Sequence, residues 1–449
     1  MAPGLVFLAP SGGPGRYGPM IMDNDGQPVW LNPVSGPWPA DETGLGDLVA
    51  ANFSVQHYRG KPVLAWWQGR IVLPGFGRGE CLVLDEQYRR IATVRTGNGV
   101  QADLHEFVIT AEDTALVSYY QPVAADLSAA GGPTKGYLLD SGFQEIDIAS
   151  GKVLYQWRAS DHIELTESYF SVAGSGTKAN PWDFFHLNSV EKDDEGNFLI
   201  SARHTWTAYK LHGGTGEVLW RLNGKRSDFD VGPDAQFSWQ HDVRWQPGDR
   251  VSIFDDGAGE FTTNSRARGI IVDLDFVAMK AKLDEEYVHP GPIMVASQGS
   301  MQVLAGNNAF VGWGSEPYVS EFADDGRLLF DAAMPTNGVS YRAFRYPWRG
   351  APDERPAVAV ASGPTITPFG TQGSATQQVY ASWNGATDVA SWQVLAGPHH
   401  SALRTVKQAK RKGFETGIPW TGGANDQFVA VAALDANGRV LARSATIAV

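Results

Sequence analysis

Three short strings set a histidine beside a polar partner at the mouth of an apolar, strand-like run. They are Asp103-Leu104-His105-Glu106-Phe107, Phe184-Phe185-His186-Leu187-Asn188 and Trp239-Gln240-His241-Asp242-Val243. Imidazoles brought together serve proton transfer, nucleophilic attack or metal binding. Arg203 closes the apolar run Phe198-Leu199-Ile200-Ser201-Ala202, where a guanidinium needs a polar cavity or an ion-pair partner. Its planar fork suits a tetrahedral oxyanion such as sulfate or phosphate, and a structural salt bridge is the equal alternative. Strand alternation sends the next residue, His204, to the opposite face and out of the chemistry. Three histidines can hold Zn²⁺, but Arg203 in the same funnel repels a cation, so neither metal nor cofactor is expected.

Residues so far apart meet only if the fold repeats. The chain has 449 residues, with 51 Gly, 26 Pro and 15 Trp, and short β-branched or aromatic runs between turn residues point to an all-β protein. A second pattern recurs as strand, turn, Gly, strand, aromatic: Asp23-Asn24-Asp25-Gly26 to Trp30, Asp147 through Gly151 to Trp157, His212 through Gly216 to Trp220, and Asp324-Asp325-Gly326 to Phe330. Such units suit propeller blades, expected near 52–95, 104–158, 185–221, 240–290 and 298–331. A sixth would join Ser340–Trp348 to N-terminal strands around Leu5–Trp30, which removes a free sheet edge. The fold class expected is therefore all-β: a six-bladed β-propeller over 1–351, then a linker and a small C-terminal immunoglobulin- or fibronectin-like β-sandwich over 356–449. Innermost strands line a propeller's channel, so their leading ends would carry His105, His186 and His241 into one funnel. Trp66-Trp67 and Tyr119-Tyr120 either wall an aromatic substrate site or pack between blades, with Tyr119 kept as a binding candidate.

The bulk numbers narrow the partners. A net charge of −13 disfavours a nucleic acid. No run of apolar residues is long enough for a membrane span. Cys81 is the only cysteine, which excludes intrachain disulfides and Cys-built zinc sites. The start of the chain shows no signal peptide; the expectation is an extracytoplasmic protein whose signal peptide has been removed, with a cytoplasmic location left open.

With these strings the chain resembles the arylsulfotransferase family, the aryl-sulfate sulfotransferases that need no nucleotide sulfate donor, in its fungal and actinobacterial branch. Asp183 through Val190, Gly196 through Arg203, Gly216 through Leu222, Phe237 through Asp242, Ser297-Gln298-Gly299-Ser300 and Val311-Gly312-Trp313-Gly314 carry the likeness alongside the string at His105. The resemblance implies a six-bladed propeller and ping-pong transfer of a sulfuryl group from a phenolic donor to a phenolic acceptor through a sulfohistidine. It also implies roles. His241 matches the nucleophile and His105 and His186 the flanking histidines. Asn188 and Arg203 match residues that hold the sulfuryl oxygens, with Ser300 a looser candidate for a hydroxyl from the next blade. Asp242 is expected to orient an imidazole from behind. Two other readings of the same residues stand beside this one: an acid–base enzyme acting on an aromatic metabolite, and a non-catalytic ligand-binding propeller.

Overall fold

The computed structural model describes residues 1–12, 18–34, 48–73, 75–335, 338–363, 366–367, 370–371 and 376–449. The chain is all-β: among the described residues the helical elements are five three-residue 3-10 turns. It divides into two compact units.

The first unit comprises Met1–Pro19, Asn32–Leu84 and Arg90–Tyr346. Its strands form antiparallel meanders. Val49–Tyr58, Lys61–Val72, Phe76–Leu84 and Arg90–Val94 make the first set. Ala102–Ile109, Thr114–Ala125, Gly136–Asp147 and Val153–Arg158 make the second, bridged to the first where Gly79 faces Ala102. Leu187–Lys192 to Val218–Leu222, His241–Gln246 to Lys280–Tyr287, and Ser300–Val303 to Leu328–Ala333 each make a further sheet. Finally Leu5–Ser11 pairs with Val339–Tyr346, from Leu5 opposite Tyr346 to Ser11 opposite Val339, so the two ends of this unit are zipped together.

Asp-rich turns reverse the strands by a common device. The Asp193 carboxylate accepts the N–H groups of Glu195 and Asn197 at 3.0 and 2.8 Å, and Gly196 takes φ +81°, where a side chain would be strained. Aromatic residues then fill the space between sheets. Trp157 stacks near Phe143 with centroids 5.9 Å apart and donates its indole N–H to the Gly216 carbonyl at 3.0 Å, beside Phe185, Phe198 and Tyr209.

The first strand of each sheet, together with Val339–Tyr346, lines a cavity of about 300 Å³. A knot of charge lies along it. Glu106 binds Arg342 at 3.0 Å and Arg244 at 2.5 Å, and Asp242 binds Arg244 at 2.9 Å and Arg342 at 3.4 Å. Arg342 also donates to the Asn188 carbonyl at 2.7 Å, and Glu106 accepts the Val190 N–H at 3.1 Å. One carboxylate thus joins four of these strands.

The second unit comprises Met20–Leu31, Asp85–Arg89 and Pro347–Val449. Ala357–Gly363, Thr376–Ser382 and Glu415–Trp420 form one sheet; Arg404–Lys410, Ser391–Gly397, Phe428–Leu434 and Val440–Arg443 form most of another. Val379, Ile418, Trp392, Val394 and Val431 build the core. Arg404–Lys410 is largely exposed and touches the core only through Val406 and Ala409. The two early segments group here for a concrete reason. Tyr88 stacks on Trp30 at 4.9 Å and donates its hydroxyl to the Gly385 carbonyl at 2.7 Å, and the Asn384 amide brackets Leu31, accepting its N–H and donating to its carbonyl at 2.9 Å each.

Removing Glu106 leaves Asp242 as the one carboxylate of the knot facing two guanidiniums, that of Arg342 fully buried. Glu106→Ala is expected to cost about 3–5 kcal/mol of stability in chemical denaturation, with Glu106→Gln costing less. A loss below about 1 kcal/mol would show that the knot is not held this way.

Candidate active site

At the leading ends of these strands the backbone leaves regular β geometry. Pairing registers slip between Ala51 and Ser54, Ala102 and Phe107, Leu187 and Ser189, and His241 and Arg244. Asn52, His186 and Asp242 adopt φ of +58°, +58° and +53°. Such bulges re-aim side chains. Here they turn His105, His186 and His241 into one cavity of about 310 Å³, shared with Arg203, His204, Asp183, Trp67, Phe170, Gln298 and Tyr341. The rings of His105 and His186 lie 4.8 Å apart, and those of His186 and His204 4.7 Å.

Each imidazole that the sequence singled out is gripped at Nδ1 by a buried carboxylate. His105 meets Asp103 at 2.6 Å, His186 meets Asp183 at 2.5 Å and His241 meets Asp256 at 2.7 Å. With Nδ1–H donated backwards, Nε2 is left as the working nitrogen. Burial alone would raise Asp103 and Asp183, but the histidines beside them hold both carboxyls below the usual carboxylate range. Burial pushes His241 well below the ordinary histidine value, and the Arg203 guanidinium adds to the effect. His186 is lowered by burial against the opposing pull of Asp183. Burial raises Asp256, although Arg203 opposes it. Burial thus disfavours charge on both partners of the His241–Asp256 hydrogen bond, protonation of the ring and ionisation of the carboxyl alike.

Arg203 and His204 form a linked pair. One guanidinium nitrogen donates to His204 Nε2 at 3.1 Å, another to the Ala296 carbonyl at 2.7 Å, and the group lies 5.1 Å over the Trp239 ring. An arginine cannot accept, so His204 Nε2 is the acceptor and its Nδ1–H donates to the Asp183 carbonyl at 2.5 Å. His204 is thus neutral, and burial holds its pKa well below the histidine norm. The expected alternation failed here because Arg203–Thr205 is a 3-10 turn rather than strand, which swings both side chains to the cavity.

Other expected site residues sit elsewhere. The Asn188 amide N–H is spent on the Gln240 carbonyl at 2.6 Å, and Asn188 does not line the cavity. The Ser300 hydroxyl donates to the Ala343 carbonyl at 3.0 Å, and Tyr119 donates to the Trp157 carbonyl at 3.0 Å. Asp242 faces the charge knot, so orienting His241 falls to Asp256. Tyr341 was not anticipated: its ring lies 5.6 Å from His105 and 6.2 Å from His241, and its buried hydroxyl has no hydrogen-bond partner among the described residues. Ser297 and Gln298 supply the lining that Ser300 was expected to give.

Asp183, His186 and His204 lie close enough for a metal. His186 Nδ1 and one Asp183 oxygen are at hydrogen-bond distance from one another, and His204 Nε2 takes the Arg203 N–H, so an ion there would displace the Arg203–His204 contact.

Comparison with known proteins comes to bear at this point. The chain is similar to the family described as arylsulfotransferase (ASST), whose model matches residues 54–334. No curated protein matches it. Among solved structures, a Bacteroides caccae protein of unknown function is 12% identical, with 76% of this chain and 98% of that one covered at a TM-score of 0.44. The β-propeller domain of Cps50 (Swd1) from Myceliophteria thermophila is 9% identical, covering 63% and 86% at 0.36. A catalytically inactive virginiamycin B lyase from Staphylococcus aureus with quinupristin is 8% identical, covering 64% and 71% at 0.30. Likenesses this distant say nothing about what this chain binds.

A neutral buried His204 has a thermodynamic signature. Its unfolded counterpart takes up a proton near pH 6.5 while the folded one does not, so stability is full above that value and falls as pH drops below it. Ring resonances of His204 are expected to stay in the neutral Nδ1–H form from pH 7 to about 5.5 in an NMR titration. Titration near 6.5 would refute the Arg203–His204 assignment.

Proposed function

The chain belongs to the arylsulfotransferase family, and from that premise we propose that this cavity moves a sulfuryl group from an aryl sulfate to a phenol through His241. The observation that carries the reading is the convergence of three Nδ1-tethered imidazoles on one cavity beside a pinned guanidinium. The fold reading that goes with it is a six-bladed propeller closed by Leu5–Ser11 and Val339–Tyr346, supported by the six strands that line one channel. The two C-terminal sheets packed over Trp392 suit the immunoglobulin-like sandwich expected there.

In the first half-reaction the Nε2 lone pair of His241 forms a bond to sulfur as the aryl O–S bond breaks. The ring becomes positive and keeps its Nδ1 proton toward Asp256, whose carboxylate lies against the new charge. The departing phenolate takes a proton from a protonated flanking imidazole, His105 or His186. In the second half an acceptor phenol returns that proton, its oxygen attacks sulfur, and His241 is released neutral. Splitting one displacement into two is the gain from the covalent step. Arg203 neutralises charge on the sulfuryl oxygens, and the Tyr341 hydroxyl, unpartnered among the described residues, offers a further donor.

Exposure to 4-nitrophenyl sulfate without acceptor should add the mass of one SO₃, on His241, by intact-mass and peptide analysis. His241→Ala should abolish the adduct and lower transfer by at least about 10³-fold. Turnover without any adduct, undiminished in His241→Ala, would exclude the covalent route. Separately, Arg203→Met should slow transfer by roughly 10²–10³-fold while His241 stays in place.

A further inference from the structure

Resting on the sulfuryl-transfer reading, we propose that the backbone N–H of Gln298 is an oxyanion donor that hands over from the nucleophile to the transferred group. In the structure it donates to His241 Nε2 at 3.3 Å, the nitrogen that must bond to sulfur. An N–S bond is far shorter than that contact. Sulfur seated on Nε2 therefore brings its oxygens into the shell this N–H occupies, and the donor passes from nitrogen to a sulfuryl oxygen with a small shift.

The local backbone is built around that one group. Gln298 adopts φ +71°, a left-handed conformation that glutamine reaches only under constraint. The constraint comes from both sides. Gly299 sits at φ +115°, and a Cβ there would lie 2.3 Å from the Phe254 ring; a Cβ on Gly314 would lie 2.5 Å from the Gln298 carbonyl carbon. The Ala296 carbonyl accepts from Arg203 at 2.7 Å, the Ser297 carbonyl accepts the Ser315 N–H at 3.1 Å, and Gly299 N–H donates to the Tyr341 carbonyl at 2.9 Å. Neighbouring polar backbone groups are thus tied down elsewhere, and the strained residue aims its N–H at the reacting nitrogen. The same segment anchors Arg203, so the guanidinium and this N–H are set at a fixed spacing around one tetrahedral group.

The decisive variant replaces Gln298 by its α-hydroxy acid, turning the 297–298 peptide bond into an ester and deleting this N–H alone. With 4-nitrophenyl sulfate in single-turnover experiments, sulfation of His241 is expected to slow by about 10²-fold, with the concentration for half-saturation changed only a few-fold. Sulfation at the wild-type rate in the ester variant overturns the proposal. Absence of any adduct in the wild type overturns the functional reading itself. If the ester variant does not fold, the wild-type protein labelled with ¹⁵N-glutamine decides. The backbone resonance lost in Gln298→Gly should move when His241 is sulfated, and an unmoved resonance on sulfated protein overturns the handover.

Discussion

The site depends on which nitrogen of each ring faces the cavity, and that is set by carboxylates buried behind the imidazoles. Asp103, Asp183 and Asp256 each take an Nδ1 at 2.5–2.7 Å. Without them an imidazole could rotate or present its protonated nitrogen, and convergence would carry no chemistry. Asp183 does this twice over, holding His186 through its side chain and His204 through its backbone carbonyl. By fixing His204 it also fixes the acceptor on which Arg203 rests. Tautomer, ring orientation and guanidinium position are one coupled arrangement.

The residues next to the histidines in sequence perform the opposite task. Glu106 follows His105 and Asp242 follows His241, yet both acids face the charge knot while the histidines face the cavity. The bulges at these positions make that division. Burying Glu106, Asp242, Arg244 and Arg342 costs more desolvation than an apolar filling would, and ion pairs recover only part of it. What the knot gives is register: Glu106 fixes the strands that carry His105, His186 and His241 relative to one another through Arg342, Arg244 and the Val190 N–H. Misregister by one residue would send the histidines to the wrong face.

The three histidine strings and Arg203 were legible because polar residues interrupt apolar runs, and that contrast survives any detail of backbone. The strand pattern was legible for the same reason, in turn residues and period. What sequence hid was local geometry. His204 was misplaced because alternation holds only in a strand, and Arg203–Thr205 is a 3-10 turn. Asn188, Ser300 and Tyr119 are polar residues whose N–H or O–H donors go to nearby carbonyls, and nothing in their type distinguishes that from a ligand contact. Asp256 lies far from His241 in the chain and reads as part of an acidic turn. Gln298 acts through its main chain, which no side-chain pattern can announce. Segments 20–31 and 85–89 join the second unit through Tyr88, Asn384 and backbone bonds such as Gly385 N–H to the Val29 carbonyl and Ala351 N–H to the Glu86 carbonyl, which leave no pattern in the sequence to mark a boundary.

The charge states fit the work asked of them on the sulfuryl-transfer reading. A protonated imidazole has no lone pair to attack with, so the depression of His241 by burial and by Arg203 keeps it usable where a solvent histidine would be partly spent. The same guanidinium that lowers His241 attracts the donor's sulfate, and one group thereby supplies both binding and activation. As the N–S bond forms, the ring turns positive, and the Asp256 carboxylate already set against Nδ1 at 2.7 Å is its counter-ion, with no proton needing to move. Arg203 does not need to move for any of this, since His204, the Ala296 carbonyl and the Trp239 ring already hold it. A lysine could match the charge but not the three-way anchorage, and would have to be reorganised at the moment of transfer.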